Sequence, residues 1–254
     1  MPNNYFRFKQ FTIHQDKCAM KVCTDACLFG AWAADRLLLT ANRLPFTAHR
    51  SPLATHSFLD IGTGTGLLSL MLAQKNADAI IDAVEIDEAA AQQAKENFAA
   101  SPWKERLQVY NSSIQQFANS SIRKTQYHLI ISNPPFYEND LKSEDIKRNL
   151  ALHSSELKLE ELISIADNLL NDDGNFFVLL PYNRVKDFEV MLTGKFFVKE
   201  KMLVKQTAKH GWFRVMWWLV KKEVAMVECE IVIDAAKNYS NEFRELLKEY
   251  YLKL

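Results

Sequence analysis

The residues of this chain that could do chemistry gather in two short stretches. Residues 129–136 read Leu-Ile-Ile-Ser-Asn-Pro-Pro-Phe, an apolar, strand-like run that breaks off into Asn133, Pro134, Pro135 and Phe136. Asn133 brings a carboxamide oxygen that accepts hydrogen bonds, and the two prolines fix φ and so hold the Pro134 carbonyl in place. Phe136 adds a flat ring. Two fixed acceptors beside an aromatic plane suit a planar group that donates N–H bonds. The second stretch, upstream, is Leu-Asp-Ile-Gly-Thr-Gly-Thr-Gly over 59–66, which sets Gly62, Gly64 and Gly66 directly after a short apolar strand. A glycine turn there lets backbone approach a ligand closely.

By itself such a turn serves NAD, FAD and other nucleoside cofactors alike. Two acids narrow the choice. Asp60 lies on the strand side of the glycines, where a pyrophosphate would be repelled. S-adenosylmethionine (SAM) has no phosphate and carries a cationic amino-acid tail, which suits an acid. Glu85 ends the next strand, where a carboxylate can accept hydrogen bonds from both ribose hydroxyls, and Asp87 reads as a helix cap. Together these residues look like the SAM-binding half of a class I methyltransferase. In many such enzymes an acid after the third strand holds the cofactor's adenine. Here Ser113 stands at that place, with Ser112 and Asn111 as alternatives.

The elements that must carry these residues alternate. Strands are expected at 57–61, 79–86, 107–111, 127–132 and 175–181, the last preceded by a turn at Asp172, Asp173 and Gly174. Helices are expected at 66–74, 88–100, 113–118 and 158–170. Strand, helix, strand, helix implies an α/β fold, a mostly parallel twisted sheet with helices on both faces. Three extended runs after residue 195 suggest an antiparallel edge, closed by an amphipathic helix over 240–254. Upstream, 6–14 alternates like a hairpin, a helix starts at Thr24, and 40–57 reads as a linker. The expected division is an N-terminal arm, 1–56, and a catalytic domain, 57–254.

The Asn-Pro-Pro-aromatic pattern resembles that of amino-methyltransferases acting on planar nitrogens: adenine N6, cytosine N4, guanine N2 and glutamine amide. The chemistry needs these residue types. An amine conjugated to a ring is a poor nucleophile, because its lone pair is delocalised. Donating its two N–H groups to Asn133 Oδ1 and the Pro134 carbonyl drives it towards tetrahedral geometry and frees the lone pair. Pro135 would line the substrate side, and Phe136 would stack the extruded base. Catalysis is then mostly positioning.

Three further segments, "FKQFTIHQDKCAMKVCTDACLFGAWA", "AASPWKERLQV" and "YSNEFRELLKEYYL", resemble the bacterial valine-tRNA adenine-N6 methyltransferase family. The resemblance runs nearly the whole chain. It implies SAM as cofactor, adenine 37 beside the anticodon as target, and Thr24 and Asp25 at the cofactor's methionine end, with Asp25 pairing its ammonium. The linker is longer than expected for the family, and Ser113 departs from the usual acid. A protein glutamine methyltransferase shares the motif, but would be expected to carry a helical N-terminal domain. Guanine-N2 rRNA enzymes usually follow the aromatic with His, where this chain has Tyr137.

Composition is that of an ordinary soluble globular protein: 254 residues, 48% hydrophobic, 24% charged and a net charge of zero. No run nears the roughly eighteen apolar residues of a membrane span, and the first ten residues lack a signal-peptide pattern, so a cytoplasmic protein is expected. No protein partner is evident. A local basic excess spans 195–222, seven Lys and one Arg against Glu200. It reads either as a solvated face or as a tRNA-docking surface, with Lys209 and Arg214 beside Trp212 and Phe213 as binding residues. Lys147, Arg148 and His153 could also touch RNA, while Trp217 and Trp218 should pack in the sheet. Cys18, Cys23, Cys27 and Cys229 lack metal-site spacing and read as reduced thiols.

Overall fold

The computed structural model describes residues 3–43, 56–120, 126–135, 157–235 and 238–254. In chain order these form β1 (Tyr5–Arg7), β2 (Thr12–His14), α1 (Thr24–Arg43), β3 (His56–Ile61), α2 (Leu67–Lys75), β4 (Ala79–Glu85) and α3 (Glu88–Ala99). There follow β5 (Leu107–Asn111), α4 (Ile114–Asn119), β6 (Tyr127–Ser132), α5 (Leu159–Leu169), β7 (Leu170–Pro181) and α6 (Val185–Met191). The chain ends in β8 (Phe197–Thr207), β9 (Trp212–Val220), β10 (Val227–Ala235), β11 (Asn238–Tyr239) and α7 (Asn241–Leu247).

Strands β3 to β11 make one nine-stranded sheet in the order β11-β10-β8-β9-β7-β6-β3-β4-β5. From β5 to β7 all neighbours are parallel; β9 is antiparallel to both β7 and β8. The antiparallel edge is therefore present at β9, and β10 crosses over to lie parallel to β8. The chain winds outward from β3 to β5 and then returns to β6 on the other side of β3. That reversal opens a crevice between the carboxyl ends of β3 and β6, where doubly wound sheets bind ligands. Gly62 follows β3 and Asn133 follows β6.

Both faces of the sheet are covered, and the strand period sorts side chains between them. Phe177 and Trp218 face Trp32 and Met71, whereas Phe176 and Trp217 face Leu162 and Phe188. Both tryptophans are packed in the sheet, as expected. α1 is bolted down by the buried Glu200 of β8, which accepts from Trp32 Nε1 and from two nitrogens of Arg36.

Three expectations change in detail. The turn residues Asp172 to Gly174 lie inside β7: its pairing with β6 jumps from Tyr127↔Leu170 to Leu129↔Asn175, so they form a bulge within the strand. The C-terminal helix stops at Leu247, capped at its start by Ser240. Beyond it Tyr251 bridges Phe8, Lys9 N donates to the Tyr250 carbonyl, and Tyr250 Oη donates to the Met71 carbonyl. Tertiary pairing with the arm outcompetes continued helix. The expected linker over 40–57 is shorter at both ends, because Thr40 to Arg43 continue α1 and His56 and Ser57 open β3; 44–55, together with Phe136, Lys147, Arg148 and His153, lie outside the described residues.

Candidate active site

Gly62, Gly64 and Gly66 all have positive φ, 73°, 55° and 84°. A side chain at Gly62 or Gly64 would meet nothing within 4 Å, so these two line open space. Gly66 serves packing instead, since a Cβ there would lie 2.5 Å from the Phe98 ring of α3. The loop is tied to β4 by Gly62 N and Thr63 N, which both donate to the Val84 carbonyl.

Glu85 holds the loop from the far side. Its Oε2 accepts from Gly64 N at 2.8 Å and its Oε1 from Asp87 N at 3.0 Å. Each carboxylate oxygen keeps a lone pair for a further donor, so the acid still suits a ribose diol. Asp87 caps α3 through Ala90 N, as its position predicts. Asp60 is fully buried, and its Oδ2 accepts from both Thr63 Oγ1 and Ser69 Oγ at 2.7 Å. Its Oδ1 is buried with no partner. Burial lifts its carboxyl to about 6, the two hydroxyls pull it back, and the charge on Glu85 adds to the rise.

Across the crevice, Ser132 Oγ donates to the Ile61 carbonyl at 2.8 Å and fastens the end of β6 to the end of β3. Asn133 is half-buried, Pro134 buried and Pro135 exposed. The open backbone at Gly62 and Gly64 and the Asp60 carboxylate with one unpartnered oxygen thus stand at the end of β3, beside the end of β6 from which Asn133 leaves. This is a fit for a phosphate-free nucleoside with a cationic tail. Ser113 caps α4 by accepting from Gln116 N, and Asn111 donates to the carbonyls of Glu85 and Ile86. The Ser113 hydroxyl therefore has a structural task as the cap of α4.

Thr24 opens α1, and Asp25 beside it accepts from Arg214 Nε at 2.9 Å. These two residues, expected to meet the cofactor and the tRNA respectively, are partners of one another here. Lys209 is exposed in the turn between β8 and β9. In the basic stretch, Lys201 pairs with Glu189 and Glu228, Lys221 with Asp167 and Lys222 with Asp173, so much of its charge is neutralised locally.

Asn97 supports the glycine loop, a role that sequence reasoning missed. It is buried in α3, accepts from His14 N, and donates to the carbonyls of His14 and Thr65. One carboxamide thereby couples the N-terminal hairpin to the glycine loop. Nothing local marks it, because an Asn in an Ala-rich helix reads as a surface residue. Among the described residues no cluster of three or more His, Cys, Asp or Glu is arranged to hold a metal.

The family model for the methyltransferase small domain matches residues 19–215. Over their full lengths, the chain is 41% identical to the tRNA1(Val) (adenine(37)-N6)-methyltransferase of Dyadobacter fermentans and 41% identical to that of Cytophaga hutchinsonii. The chain belongs to the tRNA1(Val) (adenine(37)-N6)-methyltransferase family. As a member it is a SAM-dependent methyltransferase of class I, and SAM is its methyl donor. The fold agrees: a predicted O-methyltransferase from Agrobacterium tumefaciens matches with a TM-score of 0.62 at 14% identity, covering 88% of this chain and 95% of that one. The methyltransferase subunit of a type I restriction-modification system from Streptococcus thermophilus matches at 0.61 and 13%, covering 90% and 52%. No described helix is long and apolar enough to cross a membrane.

Proposed function

We propose that this member of the family transfers the methyl group of SAM to the exocyclic N6 of adenine 37, next to the anticodon of a valine tRNA. The observation that carries the reading is the 41% identity over whole chains to relatives bearing that name. The topology supports it, because Asn133 and Pro134 leave β6 beside the end of β3, where Gly62 and Gly64 border open space.

SAM supplies an electrophilic methyl on a sulfonium. Thr24, Asp25, Asp60, Gly62, Gly64, Gly66 and Glu85 would hold it, with Ser113 at its adenine end. Asn133 Oδ1 and the Pro134 carbonyl accept the two N–H bonds of the target amine and turn its lone pair towards the methyl. Phe136 stacks the extruded base and Pro135 borders it; for Phe136 the role rests on the sequence. As the N–CH3 bond forms and the S–CH3 bond breaks, S-adenosylhomocysteine would leave and the cationic amine would lose its proton to solvent, so no strong side-chain base is needed. Asn133 and Pro134 act by position, which is where most of the rate is gained.

The tRNA is held through its anticodon stem-loop, whose unstacked bases and dense phosphates suit the Lys209 turn. The work is done in the cytoplasm. The test is incubation with labelled SAM and tRNA lacking the modification, followed by nucleoside analysis. N6-methyladenosine in valine tRNA, lost when adenine 37 is replaced by guanine, is the expected result. Label in protein with none in RNA would overturn the reading in favour of glutamine methylation.

A further inference from the structure

Tyr182 is the first residue beyond β7, at the same carboxyl edge that carries Asn133. Its ring is 39% exposed, whereas Phe176, Phe177, Trp217 and Trp218 in the neighbouring sheet are 5% exposed or less. It rests against Trp212, ring centroids 6.5 Å apart, and Trp212 carries the ammonium of Lys205 3.8 Å from its own centroid. Tyr182 follows β7, and Trp212 and Lys205 lie on the next two strands: Pro181 pairs with Arg214, and Lys205 with Trp212.

Ser132 pairs with Val178, so Asn133 leaves the sheet one strand away and a few residues short of Tyr182. At the strand rise that is roughly 10 Å along the edge and 5 Å across, a gap that one unstacked nucleotide spans. The ring itself supports little of the fold, because the turn it begins is held by its backbone carbonyl, which accepts from Val185 N. An exposed aromatic plane backed by a second ring and an ammonium is the chemistry of a nucleotide, base against plane and phosphate against cation.

We propose that Tyr182, backed by Trp212 and Lys205, is the stacking platform for the RNA nucleotide that flanks the target adenine. The inference rests on the tRNA reading above. Tyr182→Ala raises KM for tRNA on the order of tenfold, the worth of one base–aromatic stack, with kcat changed less than KM and an unchanged melting temperature. Tyr182→Phe keeps the wild-type KM, because the plane and not the hydroxyl is used. Lys205→Ala lowers the slope of log affinity against log salt by about one. A 2-aminopurine placed beside the target adenine in an anticodon stem-loop is quenched by the wild-type chain and not by Tyr182→Ala. If the wild type methylates tRNA and Tyr182→Ala leaves both KM and quenching as they were, the platform is overturned and the tRNA reading stands. If the wild type puts no methyl into tRNA, both fall together.

Discussion

Arg214 Nε donates to Asp25 Oδ2 at 2.9 Å, joining the start of β9 to the first turn of α1 across 189 residues of sequence. The pair sits at the ligand edge and is only partly shielded, with the Arg214 side chain 32% exposed and that of Asp25 13%. Breaking it with Arg214→Ala should cost about 1–2 kcal/mol in urea denaturation, between the values of a surface and a buried pair. Because Asp25 neutralises this guanidinium, Arg214→Ala should lower the salt slope of tRNA binding less than Lys209→Ala does. Equal slopes for the two variants would show that the pair opens when tRNA binds.

Gly64 and Gly66 should respond differently to alanine. Both sit in the left-handed region, which costs a Cβ-bearing residue about 1–2 kcal/mol. Gly66→Ala also drives a methyl into Phe98, so its melting temperature should fall further. Gly64→Ala meets open space, so its main loss should be SAM affinity, read by calorimetry. A fall in melting temperature at Gly64 as large as that at Gly66 would contradict this division.

Asp60 gives a pH signature. Its folded carboxyl is raised to about 6 by burial, above its value in the unfolded chain. Its contribution to stability is therefore present in full below about pH 4 and lost as pH rises to about 6 and beyond, by up to about 3 kcal/mol. Asp60→Asn, measured by denaturation across pH 4 to 8, should flatten the curve in that window. A wild-type curve that rises there and is unaltered by the substitution would contradict it.

Asn97 should act as a hinge pin for the arm. Replacing it with Leu leaves His14 N and the His14 and Thr65 carbonyls without their partner, at about 1–3 kcal/mol for each buried group left unpaired. Limited proteolysis should then cut the N-terminal hairpin faster than in the wild type, and SAM affinity should fall with it. Protection equal to the wild type would show that the hairpin is held by its aromatic contacts alone.

What could be read in the sequence is what local backbone chemistry dictates. Gly62 to Gly66, the strand ends at Asp60 and Glu85, the cap at Asp87 and the Asn-Pro-Pro turn each need particular residue types at adjacent positions. The structure sets them around one crevice. What stayed hidden depends on partners distant in the chain. The basic stretch looked like one surface, yet Lys201, Arg214, Lys221 and Lys222 find carboxylates on other elements. The turn at Asp172 to Gly174 became a bulge because β6 continues to pair on both sides of it. Asn97 carries no signature at all, since its task is set by two backbone segments brought to it by the fold.

We propose that Asn133 acts on the target amine and not on the cofactor. The direct measurement compares wild type and Asn133→Ala with labelled SAM and unmodified tRNA, alongside SAM titration by calorimetry. Expected are N6-methyladenosine from the wild type, none from Asn133→Ala, and the same SAM affinity in both. Methyl transfer that survives the substitution, or a loss of SAM affinity that matches the loss of activity, would contradict it.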